Sequence, residues 1–275
     1  MARVTTVSRS ARPTVSVAAG WPPARRMGIG ALRFGGTAMS DRLLTGAGVG
    51  MGERVVDLTP GAGTLGRAAV ARDLHQWTGV CLNRAQARRV GAAVTGHGCG
   101  TVLGAPDRTG LASGSATVML AEGLLTGLSQ ASKLAVLEEA ARVLRPGGRI
   151  GVHELCVLEG PWGSTPAEEI IAEMSAFANG GLRPLTEAGW RALVEEAGLS
   201  MAGTALGAIE LPNLRTLAAQ EGPRGAARAM GALLKPGSDF LRVKRSVESA
   251  TRHQDRLAAI VVIAERPLVG PLRRR

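Results

Sequence analysis

The chain has no tyrosine and only three phenylalanines in 275 residues, so any core it builds must be aliphatic. Its three cysteines, Cys81, Cys99 and Cys156, are an odd number with no metal-finger spacing, which argues against a disulfide framework or a zinc finger. All three lie in apolar, strand-like contexts and read as buried free thiols, which fits a reducing, cytoplasmic setting. No apolar run reaches the length of a membrane-spanning helix. Acidic residues are missing from the first 40 positions, which hold six Arg, and the last three residues are Arg as well. Apart from these ends the net charge of +11 shrinks to 24 basic against 22 acidic residues. Basic ends attract polyanions without sequence preference. The nearly neutral body offers no basic groove, so no specific nucleic-acid partner is expected.

What is present is an α/β pattern. Val55-Val56-Asp57-Leu58 reads as a short buried strand, Thr59-Pro60-Gly61-Ala62-Gly63 as a turn, and the run from Leu65 as a helix. Strand, glycine turn and helix present free backbone N–H groups to a ligand, and glycine lets that ligand approach closely. From there strands and helices alternate, which implies parallel strands with right-handed crossovers. Strands are expected at about 54–58, 76–82, 100–103, 116–121, 149–157, within 200–211 and at 258–265. Helices are expected at 64–74, at 84–95 behind an Asn83 cap, and at 129–144, where Leu134, Leu137, Ala141 and Leu144 recur at helical spacing. That helix should stop at Arg145-Pro146-Gly147-Gly148. A short helix should start at a Ser40 cap with Asp41 in its first turn. Thr165-Pro166 should open a helix with Pro at its first position, and Thr186 should cap another. Residues 213–255 read as two or three further helices.

This pattern divides the chain into a basic extension at 1–26, a core at 27–160, a helical cap with the sixth strand at 161–256, and a last strand with a basic tail at 257–275. The extension has the composition of a disordered segment or a transit peptide, and Met27 and Met39 are alternative starts.

The ordered motifs VVDLTPGAG, TGVCLNRAQ and ARVLRPGGRIGVHEL resemble class I S-adenosylmethionine-dependent methyltransferases of the small-molecule, methyltransferase-11 or UbiE-like type. The resemblance implies a Rossmann-like, doubly wound, mainly parallel seven-stranded sheet with helical cap insertions and an antiparallel last strand. It implies S-adenosylmethionine as cofactor, a small-molecule substrate, and a cofactor site at Asp57, Thr59, Pro60, Gly61, Gly63, Cys81, Leu82, Ala105, Pro106 and Glu122. Asp57, Gly61 and Gly63 match the family's first loop, while Thr59 stands where its first glycine would be. The added hydroxyl either tightens the pocket or hampers binding. Cys81 stands where the family carries an acid for the ribose hydroxyls, and a neutral thiol is a poor acceptor. Gly104-Ala105-Pro106-Asp107 replaces Gly-Asp-Ala, with Asp107 two places late. Two readings follow: a methyltransferase with an altered pocket, or a non-catalytic binding or regulatory protein on the same fold. Methyl transfer needs a general base only when the nucleophile is protonated. Glu122, His153 and Glu154 are the candidates. His153 and Glu154 are adjacent on a strand and face opposite ways, so only one can look into the site.

Overall fold

The first strand of the body forms where Val55 and Val56 can be buried on both faces of a sheet. In the computed structural model this strand, β2 (Arg54–Asp57), lies near the sheet centre. The structure describes residues 4–5, 33–160, 165–176, 182–210, 227, 231, 245 and 248–268. Most of the helices expected over 213–255 lie outside the described residues. The other strands are β1 (Val4–Thr5), β3 (Gln76–Cys81), β4 (Cys99–Leu103), β5 (Ala116–Glu122), β6 (Leu144–Val157), β7 (Ser200–Gly207) and β8 (Leu257–Glu265). The sheet order is β1-β4-β3-β2-β5-β6-β8-β7. Strands from β1 to β6 pair in parallel, and β8 runs antiparallel to both β6 and β7. The expected seven strands are therefore present, with the antiparallel last strand, and a two-residue β1 is added at the β4 edge.

Helices α1 (Gly36–Gly46), α2 (Thr64–Val70), α3 (Arg84–Ala93) and α5 (Ala167–Ser175) cover one face. Met39, Leu43, Leu65, Val90, Ile170 and Met174 pack there on Val55, Val118, Leu120, Leu155 and Val261. Helices α4 (Gln130–Val143) and α6 (Glu187–Glu196) cover the other, where Val136, Leu137, Trp190 and Leu193 meet Val56, Met119, Ile150 and Val262. Trp190 is thus a core residue. Side-chain alternation along the strands sorts the residues between the two faces. The chain runs outward from β2 to β4, then returns to the other side of β2 with β5. A crevice opens at such a reversal, outside the carboxyl ends of the strands.

Two caps form as the sequence indicates: Asn83 and Thr186 each accept the N–H three residues on. Ser129, expected inside its helix, is the N-cap of α4 and accepts the Ser132 N–H. Three other expectations need correction. Helix α1 starts behind Gly35, so Ser40 lies a full turn inside it and is no cap. Pro166 is itself the N-cap of α5 and does not occupy its first helical position. Helix α4 stops before Arg145-Pro146-Gly147-Gly148 as expected, but the strand expected from 149 already contains that segment. It belongs to β6, which begins at Leu144 opposite Ala116, with a register shift before Val118 meets Arg149. Gly147 has φ +71°, and Arg266 closes this start of the strand from the far side.

Candidate functional site

The Asp57 carboxyl starts the site. It has no exposed surface, and its Oδ1 accepts the Thr59 N–H at 2.9 Å, folding the chain sharply after β2. Gly61 (φ +49°) and Gly63 (φ +83°) continue the turn into α2 in conformations that favour glycine. A Cβ on Gly63 would also stand 2.8 Å from the Val94 side chain, so the loop is seated closely on the end of α3. The Thr59 hydroxyl accepts the Glu122 N–H at 2.9 Å. The residue in the place of a family glycine therefore ties the end of β2 to the end of β5.

Glu122, the last residue of β5, is the hub. Its Oε2 accepts Arg33 Nε at 2.5 Å. Its Oε1 accepts the Ser40 hydroxyl at 2.5 Å and lies 3.1 Å from His153 Nδ1. All four side chains are buried. Burial pushes the Glu122 pKa up, but the Arg33 guanidinium, His153 and Ser40 together outweigh it and hold it at about 2. Asp57 goes the other way. Burial lifts it to about 7, helped by the Glu122 charge and opposed by the Thr59 N–H and Arg33. One carboxylate is kept ionised beside another that takes up a proton near neutrality. Asp57 Oδ2, His153 Nε2 and Arg33 Nη1 are buried with no hydrogen-bond partner among the described residues.

The remaining site candidates are distributed as follows. Cys81 has no exposed surface and packs in the apolar cluster with Trp77, Ala87 and Val90. Burial and the nearby Asp57 push its thiol to about 12, so it is neutral. Leu82 is half-buried, and its N–H goes to Gln86 Oε1. Ala105 closes a turn with Arg108, which leaves Pro106 buried and Asp107 half-buried, its pKa raised by burial. Glu154 faces away from the Glu122 cluster. Its carboxylate accepts the N–H groups of Leu124, Leu125 and Thr126 at 2.7, 2.6 and 2.9 Å, which fixes the turn after β5. Of the three acid–base candidates, the structure brings Glu122 and His153 together and separates Glu154 from them.

Arg33 and Ser40 are the members the sequence did not reveal. They lie 89 and 82 residues from Glu122, and no local pattern marks them. One general signal existed: a carboxylate at the end of a buried strand needs a cation or several donors.

Among the described residues there is no cluster of His, Cys, Asp and Glu able to hold a metal ion, and no helix is long and apolar enough to cross a membrane.

A strand–glycine turn–helix at the sheet reversal is the arrangement in which open α/β sheets bind ligands, outside the carboxyl ends of their strands. Comparison with known proteins makes this specific. Residues 56–152 match the methyltransferase domain family, and the chain has the fold of class I S-adenosylmethionine-dependent methyltransferases. A relative in Haemophilus influenzae, an uncharacterized protein, is 21% identical over 245 residues, which is 88% of this chain and 95% of that one. The [4+2]-cyclase SpnF superposes with a TM-score of 0.67 at 16% identity, covering 95% of this chain and all (100%) of that one. Geranyl diphosphate methyltransferase, solved in complex with S-adenosylmethionine, superposes with a TM-score of 0.54 at 15% identity, covering 84% of this chain and 85% of that one. At these identities the solved structures establish the fold.

Proposed function

We propose that the protein transfers a methyl group from S-adenosylmethionine to a small molecule. The observation that carries this reading is Asp57 Oδ2, fully buried without a partner among the described residues, beneath a glycine turn at the sheet reversal. A carboxylate there suits a cationic ligand. The cofactor's amino-acid end would lie along Asp57, Thr59, Pro60, Gly61 and Gly63, below Glu122. Its nucleoside would lie against Leu82, Ala105 and Pro106. When bound, the cofactor supplies an activated methyl on a sulfonium sulfur. The protein's own task is alignment: nucleophile, methyl and sulfur must be collinear, and water must be kept out. Hydrogen bonds among the buried Arg33, Ser40, Glu122 and His153 hold the charges of that region in place. The segment 165–176 with α5 serves as part of a cap over the acceptor.

A second reading follows from Cys81. A neutral thiol packed in the apolar cluster offers nothing to ribose hydroxyls, which fits a non-catalytic relative on the same fold. A fold also hosts different chemistries, and one structural neighbour is a [4+2]-cyclase. Calorimetry with S-adenosylmethionine and S-adenosylhomocysteine separates the readings. Binding at micromolar concentrations, lost in Gly61→Val, is expected. No heat of binding at millimolar ligand would refute the enzyme reading.

A further inference from the structure

His153 and Glu122 are joined by a buried contact from the ring Nδ1 to Oε1. Glu122 is ionised, so it accepts hydrogen bonds and donates none. Oε2 is taken by Arg33 and Oε1 by Ser40. The contact from His153 Nδ1 at 3.1 Å must therefore be a donation from the ring. In a neutral ring that leaves Nε2 as a bare acceptor, buried with no partner among the described residues. Two consecutive anchors fix the ring. Glu122 is held at its backbone by Thr59 and at its carboxylate by Arg33 and Ser40. His153 is held by Glu122 and by strand pairing on both sides, with Glu122 on β5 and Val261 on β8.

The position has meaning as well as the tautomer. Glu122 connects the ring directly to Thr59 of the glycine turn. The helices packed over β6 on this face are α1 and α5, which contribute Met39, Leu43, Ile170 and Met174 to the apolar cluster. The bare imidazole nitrogen is buried on this face, away from water and without a partner among the described residues.

We infer that His153 is the general base of the methyl transfer proposed above, and that the methyl acceptor is an apolar molecule bearing a hydroxyl group. The inference rests on that proposed activity. An amine attacks with its own lone pair and loses its proton afterwards, so it needs no buried base. A thioether or tertiary amine has no proton to give. A neutral hydroxyl is a weak nucleophile and gains most from a base in the transition state. The acceptor oxygen bonds the methyl carbon as the carbon–sulfur bond breaks, and that electron pair stays on sulfur. The hydroxyl proton passes to Nε2, and the imidazolium so formed lies against the Glu122 carboxylate. Glu122, Arg33 and Ser40 act through His153 and are positioning residues. The ring has no exposed surface, so admitting a hydroxyl to Nε2 requires the side chains around it to move.

The test uses the full chain and two measurements. Long-range nitrogen NMR reads the ring states of the four histidines in the wild type, with His153 assigned through the backbone. The Nδ1–H tautomer with bare Nε2 is expected. An Nε2–H tautomer or an imidazolium overturns the proposal. Methyl transfer is then followed with methyl-labelled S-adenosylmethionine and a matched pair of acceptors, 4-propylphenol and 4-propyl-N,N-dimethylaniline. Transfer to the phenol is expected, falling about 100-fold or more in His153→Gln while S-adenosylhomocysteine affinity stays within about threefold. Phenol transfer that survives in His153→Gln overturns the base. Cofactor binding with no transfer to the phenol, or with transfer to the aniline alone, overturns the hydroxyl assignment. A wild type that binds no S-adenosylhomocysteine fails the methyltransferase reading instead, and the NMR result then still decides the His153–Glu122 geometry.

Discussion

Replacing Arg33 by Met strips the Glu122 carboxylate of its only full positive charge among the described partners, without opening a large cavity. Both side chains are almost fully buried, at 6% and 1% exposure. Removing one partner of a buried pair costs about 3–5 kcal/mol, because the remaining charge stays buried and unpaired. The depressed pKa of Glu122 reports the net effect of burial, Arg33, His153 and Ser40 together. Glu122 moves from 4.5 to about 2 on folding, and at about 1.4 kcal/mol per unit that is about 3 kcal/mol of stability. The folded-state pKa is depressed, so this contribution is complete above pH 4.5 and is lost as pH falls through about 2. Arg33→Met should therefore lower stability at pH 7 by about 3 kcal/mol, a large share of what a domain has. It should also bring acid unfolding to a higher pH. Urea titration at constant m-value measures the change. The double variant Arg33→Met with Glu122→Gln removes both charges and should recover much of the loss, giving a coupling energy of about 2 kcal/mol or more. A cost below about 1 kcal/mol for Arg33→Met, or additivity of the two substitutions, would refute the pairing.

Asp57 titrates with the opposite sign. Its pKa rises from 3.8 to about 7 on folding, so it costs stability progressively as pH rises from 3.8 to 7; Asp57→Asn keeps an acceptor for Thr59 and should be more stable than wild type at pH 8 by up to about 4 kcal/mol, converging at pH 3, while losing cofactor affinity in calorimetry. Cys81→Asp would bury a carboxylate in the apolar cluster near Asp57, so thermal unfolding should show a loss of about 2 kcal/mol or more, and no new ribose acceptor should form. Gly63→Ala meets both a φ of +83° and the Val94 side chain, so it should destabilise by about 1–3 kcal/mol and abolish S-adenosylhomocysteine binding.

The parts of this molecule that were legible in the sequence are the ones written locally. Val55-Val56 followed by Thr59-Pro60-Gly61 marks a strand and turn because propensity and backbone freedom act within a few residues. Asn83 and Thr186 cap their helices for the same reason: each side chain reaches an N–H three residues away. Ser40 satisfies the same local rule and breaks it, because a carboxylate 82 residues downstream takes its hydroxyl. Arg33 was illegible for the same reason of distance. Pro146-Gly147-Gly148 looked like the end of an element, yet β5 and the segment at Arg266 supply partners that hold it in the sheet. Cys81 was legible as a buried free thiol at a strand end, because its apolar strand context is written locally. Trp77, which leaves no room for a Cβ on Gly66 or Gly79, shows how apolar that region is.

The neighbouring residues His153 and Glu154 bear on how the sheet assembles. On one side of β6 three main-chain amides wait for a carboxylate, and on the other a carboxylate waits for an imidazole. Sliding the strand by one position one way would set Glu154 against Glu122 and leave the three amides facing Leu155; sliding it the other way would face the amides with the His153 ring, which can serve one of them at most, and leave Glu122 facing Val152. Each misaligned pairing thus carries a double electrostatic fault. β6 is keyed like a lock with two wards, and the pair of residues acts as a proofreading mark for the alignment of the sheet.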